Sequence, residues 1–340
     1  MNTEIKTITK LLKNQGRLSS TDISIQMELG LRTTQRLLQE LLESKVIIKS
    51  GNSKNTVYAL GPLGILNYET DTLVDLNESR LENSIINFNF EIFNWLGNYS
   101  FSYLESKKLQ KATEVYHQKL KNSNTNLQKK EYQRLIVEFS WKSSSIEGDT
   151  YSLLDTERLI LEGLTNSNKT EAEAQMILNH KQAFDFILEN PDYFKTISIN
   201  NINELHHILT KNLEVNTGFR KSGVGITGSL YKPLGDQHQI REAMDKLVLL
   251  LNHIRDPFLK SLFASLIIAY IQPFEDGNKR TSRVLANAIL YSHNLPLLSY
   301  RNTNVEDYKS SIISFYELNS VFLFKKIFIE QIEFFSIGYF

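Results

Sequence analysis

The chain has 340 residues, 41% of them hydrophobic, with 38 basic and 38 acidic side chains. That length allows more than one buried core, the apolar content argues against disorder, and the balanced charge gives no global attraction to nucleic acid, membrane or acidic partners. Cysteine is absent, which excludes disulfides, thiolate zinc sites and cysteine nucleophiles. The start, Met-Asn-Thr-Glu-Ile-Lys, lacks the apolar run of a signal peptide, and the most apolar stretch, Ser261 to Ile271, is too short to span a bilayer. A soluble, cytoplasmic protein with no membrane association is expected.

Residues 1–60 carry nine Lys/Arg against five Asp/Glu, a local basic excess. Ile5, Ile8, Leu11 and Leu12 form a helical stripe that Gly16 stops; Ser19 and Ser20 can cap a second helix through Ile23 and Met27, closed by Gly30; a third buries Leu37, Leu38, Leu41 and Leu42. Val46 to Ile48 and Val57 to Leu60 read as two strands about a Gly51-Asn52 turn. Three helices and a hairpin look like a winged helix-turn-helix, assigned to residues 1–62. In that module the early polar residues of the third helix read bases, here Arg32, Thr33, Gln35 and Arg36, with Lys49 and Lys54 on the wing for phosphates. Duplex DNA is therefore a candidate partner, although the same module also serves as a protein-interaction surface.

Gly61, Pro62 and Gly64 interrupt the pattern and mark a boundary, so residues 63–195 read as a helical region. Its aromatics, from Phe88 to Tyr103, have no basic interleaving and read as packing. Lys107 to Lys130 is polar, with a loop expected at Asn122 to Asn126. Leu135, Ile136 and Phe139 then give a helix, at about residues 132–148, a buried face. Ser143 and Glu147 share one side of it, Gly148 is placed for a left-handed cap, and Thr150 or Ser152 can start the next helix.

Residues 196–340 form the third region. Ile199, Ile202, Leu205, Ile208 and Leu209 outline a helix whose His206 and His207 point different ways and read as structural. Thr217 to Leu234 contains Gly218, Gly223, Gly225 and Gly228, and its alternation suggests a short hairpin. Two strongly apolar helices, Ile240 to Ile254 and Leu259 to Ile271, lead into Gln-Pro-Phe-Glu-Asp-Gly-Asn-Lys-Arg-Thr-Ser-Arg at residues 272–283. This is the pattern of an anion site: Asp276 offers a hard oxygen for magnesium, Gly277 lets amides approach a phosphate, and a helix opening at about Asn278 contributes its unpaired N–H groups. Arg280 and Arg283, at i and i+3, leave one helix face, and Val284, Leu285, Ala288 and Ile289 anchor the other. Beyond Asn294-Leu-Pro, residues 308–335 read as two aromatic-rich helices.

Residues 272–283 resemble the Fic family signature, His-Pro-Phe-x-Asp/Glu-Gly-Asn-Gly/Lys-Arg-x-x-Arg, at every position but the first. The resemblance implies a mainly α fold: the winged helix followed by an all-helical Fic core with a small β-hairpin flap. It implies AMP transfer from ATP to a Ser, Thr or Tyr hydroxyl of a target protein, which could be the chain itself. Gln272 stands where the family has its general base, and Phe274, Gly277, Asn278, Lys279, Arg280 and Arg283 hold the nucleotide. Asn278 and Arg280 stabilise phosphoryl oxygens, Arg283 takes the γ-phosphate, and Asp276 holds Mg²⁺. Ser143, Glu147 and Gly148 resemble the family's inhibitory motif, whose glutamate pairs with the residue here numbered Arg283. Gly223, Val224, Gly225, Ile226 and Thr227 stand at the target-docking flap. A glutamine amide takes up no proton near neutral pH, so two functions remain open: a weak or inactive adenylyltransferase, or a pseudoenzyme that binds ATP or ADP and regulates DNA. Among the seven histidines His238, just after the flap, is the one candidate for a replacement base. Lys279 also occurs in Doc-type phosphotransferases and does not discriminate. A homodimer is a further candidate assembly.

Overall fold

The computed structural model describes residues 3–69 and 84–340, with all their side chains except that of Lys54. The chain divides into two compact units, one made of Met1–Tyr99, Gly228–Tyr231 and Ile313–Leu323, the other of Ser100–Thr227, Lys232–Ile312 and Phe324–Phe340.

In the first unit α1 (Thr3–Gln15), α2 (Ser20–Gln26) and α3 (Leu31–Glu43) bury Ile5, Ile8, Leu12, Ile23, Leu37, Leu38 and Leu41 in one core. Ser19 and Asp22 close a capping box at the start of α2, and α2 ends at Gln26, short of Gly30, which instead serves as the N-cap of α3. Strands β1 (Ile47–Ser50) and β2 (Val57–Leu60) pair antiparallel, Ile47 opposite Leu60. Leu18 and Tyr58 exchange backbone hydrogen bonds of 3.0 and 2.7 Å, so the chain between α1 and α2 extends the hairpin by one bridge.

The predicted boundary at residues 61–64 falls inside this unit. There α4 (Pro62–Leu66) starts with a proline in its first turn and packs against the hairpin. Gly64 is a contact residue rather than a linker residue: a Cβ there would lie 2.2 Å from the Val46 carbonyl oxygen. A short helix, α5 (Ile92–Gly97), buries Ile92, Phe93 and Leu96. Farther along the chain the buried Glu317 carboxylate accepts from the Ser229 hydroxyl at 2.7 Å and the Leu230 amide at 2.8 Å.

The second unit is built from α6 (Tyr103–Asn122), α7 (Thr125–Ile146), α8 (Leu153–Glu162), α9 (Glu171–Glu189), α10 (Ile199–Thr210), α11 (Gln237–His253), α12 (Pro257–Ile271) and α13 (Asn278–Ser292). Two further helices, α14 (Val305–Leu318) and α15 (Phe322–Gly338), complete the chain. Capping boxes begin α6, α8, α9 and α10, so side chains satisfy amides that the helix itself leaves free. The polar stretch from Lys107 to Lys130 is helical on both sides of a break at Ser123 and Asn124, where Asn124 caps α7. Helix α12 is buried from Phe258 to Ile271 on every side, and the Ser261 hydroxyl reaches across to the Ala286 carbonyl of α13 at 3.0 Å. The element that delivers the signature loop is thus the centre of the unit. No helix among the described residues is long and apolar enough to cross a membrane.

One expectation is corrected. Residues 217–234 form no hairpin: among the described residues the only sheet is β1 with β2. The side chain of Arg220, buried to 1% exposure, closes this loop in place of a strand ladder. It donates to the carbonyls of Gln272 at 2.6 Å and Ser222 at 2.6 Å and to that of Leu234. A guanidinium presents a fork of donors in one plane and can clip three backbone segments without any strand pairing.

Replacing Gly64 by Ala should force a backbone shift and destabilise the first unit by about 1–3 kcal/mol. Urea titration followed through Trp95, in a background with Trp141→Phe, measures it, and an unchanged midpoint would remove the packing role assigned to Gly64.

Candidate active site

Helix α12 terminates because Gln272 adopts a left-handed conformation, φ 52 and ψ 58, and its amide still bonds the Ile268 carbonyl at 3.0 Å. Five residues later Gly277, at φ 79, starts α13; a Cβ there would sit 3.0 Å from the Thr210 methyl, so both conformation and space favour glycine. Between these two turns Asn278 folds the loop on itself. Its Oδ1 accepts from the Phe274 amide at 2.8 Å, and its Nδ2 donates to the Phe274 carbonyl at 2.8 Å and to Gln272 Oε1 at 3.0 Å. Gln272 Nε2 in turn donates to the Ala269 carbonyl at 2.6 Å. Both ends of the Gln272 amide are therefore committed within the loop.

Beneath the loop, Phe274 is fully buried and stacks on His206, ring centroids 3.7 Å apart and planes 12° from parallel. His206 Nε2 lies 3.0 Å from the Asp276 carbonyl, which can only accept, so that nitrogen carries the proton. Burial, opposed by this hydrogen bond, lowers the His206 pKa to about 4, which keeps the ring neutral. The structural role expected of His206 is that of a platform under the signature loop.

Above the loop opens a cavity of about 230 Å³ lined by Gln272, Glu275, Asp276, Gly277, Asn278, Lys279, Arg280, Glu147 and the loop residues Val224 to Thr227. No histidine lines it; His238 is exposed on the first turn of α11. Arg280 Nη2 donates to Asp276 Oδ2 at 2.7 Å, while the Asp276 side chain is 69% exposed and its other oxygen has no partner among the described residues. One solvated carboxylate beside a helix start suits a magnesium ion that arrives on a polyphosphate, since Mg²⁺ keeps most of its water and takes one or two carboxylates. Residues 223–227 make no backbone-to-backbone hydrogen bonds among the described residues; Val224, Gly225, Ile226 and Thr227 line the cavity and Gly223 precedes them.

Glu147 reaches the cavity from the end of α7. It sits at the C-cap, Gly148 follows at φ 104 as the expected left-handed residue, and the carboxylate spans two cations: Oε1 accepts from Arg283 at 2.7 Å, Oε2 from Lys279 at 3.0 Å. Burial works against its ionisation, but Arg283 and Lys279 outweigh that and hold the pKa down to about 2. Arg283 itself has zero exposure; it also donates to the Ser143 hydroxyl at 2.9 Å and the Ser143 carbonyl at 3.1 Å. Ser143 hands the chain on. Its hydroxyl lies 2.9 Å from His180 Nε2, and His180 Nδ1 lies 2.8 Å from the Met176 carbonyl. The carbonyl fixes the proton on Nδ1, so Nε2 accepts from Ser143 and the Ser143 oxygen faces Arg283. Burial pushes the His180 pKa down to about 3, so the ring stays neutral and never repels Arg283.

The structure thus brings Ser143, Glu147, Gln272, Asp276, Gly277, Asn278, Lys279, Arg280 and Arg283 to one place, with Phe274 as the buried prop. Arg32, Gln35 and Arg36 are exposed on α3, Thr33 is half-buried there, and Lys49 is exposed on β1, all in the other unit. The side chain of Lys54 lies outside the described residues. Sequence reasoning missed the contact of Lys279 with Glu147, the acceptor role of His180 and the clip made by Arg220. The first had a signal: Lys279 and Arg283 are four apart on one helix face and can share a counterion.

Residues 196–290 match the Fic/DOC family. That match takes in the signature loop and residues 223–227. The protein adenylyltransferase Fic of Aedes aegypti is 26% identical over 211 residues, covering 57% of this chain and 40% of the relative. That of Drosophila erecta is 28% identical over 160 residues, covering 46% and 32%. The chain spans less than half the length of the curated relatives it matches. Among solved structures, Fic-1 from Caenorhabditis elegans is similar with a TM-score of 0.58 at 16% identity, covering 96% of this chain and 94% of the other. A Fic family protein from Desulfovibrio desulfuricans G20 has a TM-score of 0.57 at 17% identity, covering 70% and 74%. At these identities the structures establish the Fic fold.

The depressed pKa values predict acid lability with a defined order. A histidine that is neutral when folded contributes stability that is complete above its unfolded pKa of about 6.5 and is lost as pH falls towards its folded value. His206 and His180, at about 4 and about 3, therefore act first. Glu147 follows, its share complete above about pH 4.3 and lost as pH falls through about 2. His180→Gln keeps an acceptor for Ser143 but does not titrate, so the fall in stability between pH 6.5 and 4.5 should be shallower. Urea midpoints across that range measure it; an unaltered slope would contradict the assignment of His180.

Proposed function

We propose that this chain is a Fic-type ATP-binding protein that transfers AMP to a protein hydroxyl only slowly, and that Glu147 holds its nucleotide site shut. The observation that carries the reading is the state of Gln272: its amide stands at the position of the family's general base with both ends hydrogen-bonded inside the loop. The chain matches under half of each named adenylyltransferase, so the activity itself is part of the proposal.

ATP would enter with its phosphates over the first turn of α13, where amides have no intrahelical partner and the helix dipole favours anions. Arg280 would meet the α-phosphoryl oxygens, and Asn278, by bonding both polar groups of Phe274, would hold the loop amides in place for them. Arg283 would exchange Glu147 for the γ-phosphate, and Lys279 would lose its carboxylate in the same movement. Mg²⁺ bound by Asp276 would neutralise part of the polyphosphate charge. The peptide groups of residues 223–227 would hold the target segment as an added strand. What is missing is proton removal from the attacking hydroxyl. A positioned general base is worth about 10²–10⁴ in rate, and Gln272 supplies none of it.

Labelling with α-³²P-ATP and γ-³²P-ATP tests this on the unaltered chain and its Glu147→Gly and Gln272→His forms. Glu147→Gly alone should raise ATP affinity in calorimetry with little protein labelling. Adding Gln272→His should raise α-label transfer by about 10²–10⁴. Strong α-labelling by the native sequence would defeat the slow-enzyme reading, and lack of ATP binding by Glu147→Gly would defeat the nucleotide site.

A second reading has its own observation. Arg32, Gln35 and Arg36 are exposed on the side of α3 opposite the buried Leu37, Leu38 and Leu41, as a winged helix that reads DNA requires. We propose duplex DNA as a partner of this unit. Binding that weakens with salt, and that Arg32→Ala with Arg36→Ala weakens by about 1–3 kcal/mol per base contact, is expected in a filter assay. Salt-insensitive binding, or none, would sink it.

A further inference from the structure

Resting on the ATP-binding reading above, we infer that the acceptor this site serves best is an oxyanion already ionised at neutral pH, a carboxylate or a phosphate, rather than a neutral hydroxyl.

The argument follows the protons. A hydroxyl that attacks phosphorus must lose its proton, and among the described residues each amide or carboxylate lining the cavity already has a hydrogen-bonded or charged partner. Gln272 is an amide with both ends bonded. Glu147 is held by Arg283 and Lys279 in this structure, and the Glu147→Gly form tested below removes it as a base altogether. Asp276 pairs with Arg280, and exposed Glu275 accepts from Asn216 at 2.8 Å. Neither histidine near the loop can serve. His206 lies beneath Phe274 with its one protonated nitrogen on Asp276, and His180 is fully buried behind Ser143. The binding groups, in contrast, are all present and preorganised. A carboxylate with a pKa near 4 is ionised at pH 7 without help, as is phosphate over most of its charge. An alkoxide is the stronger nucleophile, but none forms here.

The charge balance favours the same class. An anionic acceptor is repelled by the polyphosphate unless a cation stands between them. When Glu147 yields Arg283 to the γ-phosphate, the Lys279 ammonium, 3.0 Å from Glu147 in the closed site, is left without its carboxylate beside the phosphates. It can offset that repulsion at short range.

The step balances without a proton. An acceptor oxygen attacks the α-phosphorus of ATP, the new P–O bond forms as the bond to the α,β-bridging oxygen breaks, and that electron pair leaves on pyrophosphate. A carboxylate yields an acyl adenylate and inorganic phosphate yields ADP.

The test uses the full chain carrying Glu147→Gly with α-³²P-ATP, magnesium and three acceptors. Inorganic phosphate is read as labelled ADP, acetate with hydroxylamine as hydroxamate and labelled AMP, and a mixture of Ser, Thr and Tyr peptides as labelled peptide. Turnover with phosphate or acetate should exceed that with the peptides by at least about 10²-fold, and Gln272→His should raise only the peptide rate. Peptide labelling equal to or faster than either oxyanion, with Gln272 in place, overturns the inference. So does calorimetric binding of ATP with no labelling of any acceptor. No binding of ATP overturns both this inference and the nucleotide-site reading beneath it.

Discussion

The Arg283 guanidinium is the charge around which this site is arranged. It has no exposure to solvent, and an unpaired buried cation costs several kcal/mol even after the surrounding structure relaxes. An anion must therefore always be next to it. In this structure Glu147 is that anion, and Ser143 supplies further hydrogen bonds. On the proposed reading, opening the site would be an exchange of one anion for another and not a simple withdrawal of Glu147. Lys279 makes the exchange asymmetric. Two cations face one carboxylate, so a local excess of positive charge remains, and a polyphosphate, as proposed above, would carry enough negative charge to compete for both. Arg280 with Asp276 contributes a balanced pair and does not alter that sign.

Rigidity around this charge comes from side chains that tie backbone, and each of the three ties acts on the same loop. Asn278 closes it by bonding both polar groups of Phe274, His206 supports it through a stacked ring and one hydrogen bond, and Arg220 fixes its first carbonyl to a neighbouring loop. A loop held in this way pays little ordering entropy when a ligand arrives, which is what preorganised amides need if they are to stabilise charge. The wholly buried α12 beneath it supplies the fixed reference.

The apolar periodicity made the helices legible in the sequence, because burial of one face repeats at helical spacing and α12, buried all round, reads as a continuous apolar run. The residues of the loop were legible for a different reason: glycine at a positive φ, a helix start and paired arginines are local requirements with local signatures. What could not be read were contacts made at long separation. His180 meets Ser143 across 37 positions and Arg220 meets Gln272 across 52, and no periodicity connects such residues. The expected hairpin at residues 217–234 failed for the same reason, since alternation there reports the two sides of an extended loop whose closure is made by a buried arginine. Gly64 was read as a breaker when its function is close approach to Val46, and only the tertiary neighbour distinguishes those two uses of glycine.

Gln272 shows how folding and chemistry can separate at one position. The site asks two structural things of the side chain there: an acceptor for Asn278 Nδ2 and a donor for the Ala269 carbonyl. A neutral imidazole offers one donor and one acceptor on opposite sides of a planar group, and a glutamine amide offers the same pair. Glutamine at this position therefore meets the hydrogen-bonding needs of the folded loop, with Arg283 still in need of an anion. A glutamine amide takes up no proton near neutral pH, and no contact of the folded loop depends on such uptake. A loop whose hydrogen bonds are satisfied is consequently no argument that hydroxyl chemistry occurs there.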